Sequence, residues 1–102
     1  MATVERLIPP DHPAAQGHFP GNPIIPAAVL LSEVIDALES VLGPARSPLR
    51  VKSVKFPSPA RPGNRLLIDY RHSEGGTIRL VCRVESAIVL TGEMTWEGAA
   101  EP

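Results

Sequence analysis

Residues 16–43 read Gln-Gly-His-Phe-Pro-Gly-Asn-Pro-Ile-Ile-Pro-Ala-Ala-Val-Leu-Leu-Ser-Glu-Val-Ile-Asp-Ala-Leu-Glu-Ser-Val-Leu-Gly. A Pro- and Gly-rich loop carrying one histidine, His18, runs directly into the only long helical pattern of the chain. Pro26 suits a first helical turn, and Gly43-Pro44 supplies the stop. Ser32, Glu33, Asp36, Glu39 and Ser40 fall on one narrow polar stripe, while Ala27, Ala28, Val29, Leu30, Leu31, Val34, Ile35, Ala37, Leu38, Val41 and Leu42 occupy the rest. A helix apolar over so much of its circumference has to be enclosed by other structure.

The flanking sequence supplies strands for that enclosure. Before the loop, residues 3–8 suit a short strand that Pro9-Pro10 ends, because proline cannot donate to a ladder. From Asp11 to Pro26, fixed proline φ angles and permissive glycines describe a defined loop. After Pro48 every periodic segment has a period of two. Residues 49–56 form one strand candidate, and 57–64, with Pro62-Gly63-Asn64, form a turn. Leu66, Ile68 and Tyr70 alternate with Leu67, Asp69 and Arg71. Beyond the turn at Ser73-Glu74-Gly75-Gly76, Ile78, Leu80, Cys82 and Val84 alternate in the same way. Residues 87–96 pair with that strand. Connections this short make the last three strands an antiparallel meander. The expected architecture is α+β, one domain over residues 1–102, with one long buried helix wrapped by a curved antiparallel sheet of about five strands.

Composition narrows the function classes. A chain of 102 residues buries only about two thirds of its unfolded surface, so a partner subunit would add to a small core. Net charge is −1, which argues against a nucleic-acid binder. The single cysteine, Cys82, excludes an intrachain disulfide, a CxxC pair and a cysteine-rich metal site. The opening residues lack a basic segment leading into an apolar run, and no apolar tract is long enough to span a bilayer. A cytoplasmic protein without a membrane segment is expected. Between Glu39 and Asp69 there is no acidic residue, while Arg46, Arg50, Lys52, Lys55, Arg61 and Arg65 all fall there. This stretch is either a solvated face or a landing site for an acidic or phosphorylated partner.

The string Gly17-His18-Phe19-Pro20-Gly21-Asn22-Pro23-Ile24-Ile25-Pro26, followed by the helix and strands, resembles the hot-dog-fold 3-hydroxyacyl-thioester (acyl-carrier-protein) dehydratases of fatty acid biosynthesis. With Asp11-His12-Pro13 and Val29-Leu30-Leu31 it is most similar to the short dehydratase-like proteins of aryl polyene biosynthesis, and Val54-Lys55-Phe56 and Pro62-Gly63-Asn64 extend the likeness. The resemblance implies a lyase acting on acyl thioesters, with His18 as general acid/base at the α-carbon. Imidazole suits that role because it titrates nearest neutral pH. It also implies a backbone N–H at Ala27, at the start of the helix, as donor to the developing enolate oxygen, with Phe19 and Gly21 contacting substrate. No metal and no cofactor are implied, the substrate being carried on the phosphopantetheine of an acyl carrier protein or of coenzyme A. Arg50, Lys52 and Arg61 would receive that carrier. The assembly implied is a homodimer, or a heterodimer or larger form, in which one subunit's histidine faces its partner's helix.

Two positions depart from the family pattern. Ala27 stands where the family has glycine, which keeps the N–H but adds a methyl group. Ser32 stands fourteen residues after His18, where the family has the carboxylic acid that protonates the leaving hydroxyl. Glu33 follows one residue later, rotated by about 100° around the helix. It is either the displaced acid or a member of the solvated stripe. His12 and His72 have no motif around them and read as surface residues. A second function therefore stands beside the dehydratase: a non-catalytic acyl-thioester-binding or partner subunit on the same fold, with a thioesterase as a third.

Overall fold

The computed structural model describes residues 1–13, 23–44 and 49–96. The elements run β1 (Ala2–Leu7), α1 (Ala27–Leu42), β2 (Arg50–Lys55), β3 (Arg65–His72), β4 (Thr77–Val84) and β5 (Ala87–Thr95). The five strands form one antiparallel sheet in the order β1-β3-β4-β5-β2. The meander expected for the last three strands is its centre, and β1 and β2, which flank α1 in sequence, occupy the two edges.

The strand alternation sorts side chains as the period of two requires. Ile68, Cys82 and Leu90 pair across β3, β4 and β5, and all are fully buried beneath α1. The β3–β4 connection passes through Gly75 and Gly76, both at positive φ, where a Cβ would be strained. The β4–β5 hairpin turns at Glu85-Ser86, with Glu85 itself at φ 55°.

The helix begins and ends as its sequence dictates. Pro26 stands at the N-cap with φ −57° and lacks the N–H that would go unpaired there. Gly43 closes the other end at φ 80° and donates its N–H to Glu39 O at 2.9 Å. Leu30, Val34, Ala37, Leu38 and Leu42 face the sheet and are buried. Each of the fully buried leucines contributes about 1.5–3 kcal/mol relative to exposure. The sheet covers only that stripe. Val29, Leu31 and Ile35 are half-buried, and Ala27, Ala28 and Val41 are exposed, so the described residues do not enclose the whole apolar circumference read from the sequence.

The core is closed at the ends of the sheet by Ile8 and Trp96, both 0% exposed. Ile8 donates its N–H to Asn64 O and accepts from Gly63 N–H, which docks the Pro62-Gly63-Asn64 turn beside the end of β1. Trp96 donates its backbone N–H to Gly76 O at 2.6 Å. Its indole Nε1 is buried with no hydrogen-bond partner among the described residues. No helix among the described residues is long and apolar enough to cross a membrane.

Candidate functional site

His18, Phe19 and Gly21 lie outside the described residues, as does Arg46. The site is therefore built from the frame on either side of that loop. After the loop, Ile25 makes an isolated antiparallel bridge to Ala60, donating its N–H to Ala60 O at 2.8 Å. This contact joins the start of α1 to the 57–64 connection. Between them lies a cavity of about 260 Å³ lined by Ile24, Pro26, Ala27, Leu30, Phe56 and Pro57 with their neighbours. Apart from Ser58 these lining side chains are apolar, so the cavity favours a hydrocarbon group over a charged one.

Ala27 stands at the mouth of this cavity as the first residue of α1. Val29 and Leu30 both donate to Pro26 O, at 3.0 and 2.9 Å. The N–H groups of Ala27 and Ala28 precede the first intrahelical bond and have no partner among the described residues, at a helix start where negative charge is favoured. The side chain of Ala27 is exposed, so its methyl group is not spent on the core.

Ser32 is exposed on α1, and Glu33 departs from the stripe it was read with. The Glu33 side chain is only 13% exposed and both its carboxylate oxygens are engaged within the chain. Arg6 Nε, from β1, donates to Oε2 at 2.8 Å. His12 Nε2 lies 3.2 Å from Oε1. An ionised carboxylate can only accept, so the facing Nε2 carries the hydrogen. Arg6 also reaches Asp36 Oδ2 at 3.5 Å. His12, expected at the surface without a role, is thus a half-buried partner of the helix, its side chain 15% exposed. The reason is geometric: Arg6 shares a sheet face with Leu66 and reaches inward to α1, while the turn after Pro9 folds His12 back to the same carboxylate. One signal was present in the sequence, an unpaired arginine on the apolar face of a short strand. Its partner was two elements away.

Arg50 and Lys52 share β2, with Lys52 at a bulge between Val51 and Ser53 and its Nζ 3.6 Å from Glu93 Oε2. Glu93 also takes Arg79 Nε at 2.8 Å, so an arginine not singled out in the sequence joins the basic side chains beside β2. Arg61 lies beyond the end of β2, half-buried in the turn after Ala60, where its backbone N–H donates to Asn64 Oδ1 at 2.7 Å. Cys82 lies fully buried, and burial pushes its thiol up to about 12. It stays protonated near neutral pH and offers no nucleophile.

One helix packed on a five-stranded antiparallel sheet, with a loop-to-helix junction beside an apolar cavity, defines a hot-dog domain. The chain belongs to the ApeI-like family, described as ApeI dehydratase, whose model matches residues 1–93. Among curated proteins it is similar to 3-hydroxyacyl-acyl-carrier-protein dehydratase FabZ of Lactobacillus helveticus, 26% identical over 92 residues, 79% of this chain and 62% of that protein. The same enzyme of Levilactobacillus brevis is 27% identical over 96 residues, 83% of this chain and 65% of that protein. The chain thus spans less than two thirds of the length of these relatives. Among solved structures, the dehydratase heterocomplex ApeI:P from Xenorhabdus doucetiae is similar at a TM-score of 0.70 and 22% identity, covering 91% of this chain and 83% of that one. A mutant of the fluoroacetyl-CoA-specific thioesterase FlK is similar at 0.56 and 14% identity, covering 92% and 84%. At such identities these structures speak to the fold alone.

Proposed function

We propose that this protein is a 3-hydroxyacyl-thioester dehydratase in which His18 is the general acid/base. The observation that carries the reading is the apolar cavity that opens on Ala27 at the start of α1, in a chain that belongs to the dehydratase family. The acyl group occupies the cavity, and the thioester oxygen takes the Ala27 N–H as negative charge develops on it. His18 removes the proton at the α-carbon. The C–O bond at the β-carbon breaks as the His18 imidazolium returns that proton to the leaving hydroxyl, so that water departs, the free imidazole is restored and a 2-enoyl thioester remains. The thioester arrives on phosphopantetheine, of an acyl carrier protein or of coenzyme A, and Arg50, Lys52 and Arg61 receive the acidic carrier. Purified protein is expected to interconvert 3-hydroxyacyl and 2-enoyl thioesters, with His18→Ala reducing turnover by at least about a hundredfold, the scale of general acid–base catalysis. Equal turnover by His18→Ala defeats this reading.

A specific observation favours a second reading, that of a partner subunit. Ser32 has no carboxyl group, and Glu33 is held by Arg6 and His12 of its own chain. The proton for the leaving hydroxyl then comes from a carboxylate of another subunit in a mixed dimer. Under this reading the chain alone binds acyl thioesters without turnover, and Ser32→Glu confers activity on a homodimer. If the wild type alone is fully active and Ser32→Glu changes nothing, the second reading fails.

A further inference from the structure

Beyond the question of which residue is the acid, the geometry points to a different role for Glu33. We propose that Glu33 is a positioning residue, bracing His12 with the help of Arg6 and so fixing the chain just before the segment that carries His18. The role in turnover rests on the dehydratase reading; the brace itself does not.

Three elements meet at one carboxylate. Arg6 comes from β1, which is in register with β3 along its whole length, and Glu33 from the second turn of α1. His12 comes from the turn between them, its backbone N–H donating to Pro9 O at 3.1 Å. Arg6 holds one carboxylate oxygen at 2.8 Å, which leaves the other turned to His12 at 3.2 Å. Glu33 and His12 are 13% and 15% exposed, so water competes weakly for either group. On the far side of residues 14–22, Ile25 is fixed to Ala60 by its own backbone bond. The His18 segment therefore departs from one anchored point and returns to another. Only the first anchor is made of side chains.

A catalytic base displaced by an ångström loses much of its rate while substrate affinity changes little, since the chemistry depends on alignment more than binding does. Glu33 acting through His12 is expected to show that split.

The test is hydrogen exchange and steady-state kinetics on the full chain and on Glu33→Gln, His12→Ala, His12→Gln and the double variant Glu33→Gln/His12→Ala. In Glu33→Gln, exchange at the His12 backbone N–H is expected to quicken by roughly tenfold, the scale of one lost hydrogen bond to a charged group. Exchange at the Ile25 N–H stays as in the wild type. With 2-enoyl thioesters, kcat falls by about the same factor with KM held within about twofold. The double variant is no worse than either single one, and His12→Gln, whose amide nitrogen still donates to Glu33, retains most of the wild-type rate. Unchanged exchange at His12 in a folded Glu33→Gln protein overturns the brace, whether or not the wild type turns over. Altered exchange in Glu33→Gln, together with a wild type that never turns over, supports the brace and defeats the dehydratase reading alone. A wild-type kcat in Glu33→Gln, alongside altered exchange at His12, overturns the positioning role.

Discussion

The two edges of the sheet are held in different ways. β1 is tied to its surroundings by side chains: Thr3 Oγ1 donates to Asp69 Oδ1 at 2.6 Å, Arg65 reaches Glu5 at 3.4 Å, and Arg6 crosses to α1. At β2, the one side-chain tie among the described residues is the long contact of Lys52 with Glu93. Five of its six residues are exposed, and Val51 and the adjoining Phe56 show 40% and 37% of their surface. Backbone pairing with β5 holds it, across a bulge at Lys52. Arg50, Lys52 and Lys55 interrupt the apolar residues of this edge and place charge along it. The contrast separates an edge whose position matters to the interior from one that is only laid against the sheet.

Four substitutions would break or sharpen this contrast. The largest effect is expected from Arg6→Ala, which leaves the shielded Glu33 carboxylate with His12 alone. Stability should fall by about 2 kcal/mol in urea unfolding; a loss no larger than that of Lys52→Ala would make the edges equivalent. Next comes Gly92→Ala on the β2 side. An added Cβ would meet Ser53 O at 3.2 Å, so β2 must shift outward, at about 1 kcal/mol. If that variant is as stable as the wild type, β2 is looser than its register suggests.

Asp69 gives a test confined to acid. The Thr3 hydroxyl and then the Arg83 guanidinium hold its carboxyl below the usual 3.8. Its folded form therefore contributes stability above about pH 4, and this is lost as pH falls through the lowered value. Denaturant midpoints measured from pH 5 to 2 should decline less steeply in Asp69→Asn than in the wild type, and parallel curves would remove Asp69 from the account of β1. The smallest effect belongs to Lys52→Ala. An exposed pair at 3.6 Å is expected to change stability by less than about 0.5 kcal/mol, and a larger loss would mean that β2 is fastened by charge after all.

Much of this arrangement was legible in the chain itself. The helix runs from Ala27 to Leu42 between the proline and glycine that announced its ends, and β3, β4 and β5 follow their alternation and short turns. The places of β1 and β2 were not legible, because each is joined to its neighbour in the sheet through a long connection whose direction no local pattern encodes. The engagement of Glu33 within the chain was not legible for a related reason: its spacing fits the polar stripe, and only the inward reach of Arg6 sets it apart. At the site, Ile24, Pro26, Ala27 and Leu30 share one cavity because loop end and helix adjoin in sequence, while Phe56 and Pro57 are brought to it by the bridge of Ile25 to Ala60, which no local pattern announced. Arg50 and Lys52 fall on β2 and Arg61 in the turn after Ala60, a division that a shared charge over 46–65 does not announce.

Trp96 is the only indole in the molecule, and it is sealed against water with its Nε1 unbonded among the described residues. An indole in such surroundings emits at shorter wavelength than one in water. The protein therefore carries its own optical gauge just past the end of β5, where the backbone of Trp96 is fastened to Gly76. A red shift in emission that precedes the loss of helical circular dichroism would mean that this end of the sheet peels away while α1 is still wound.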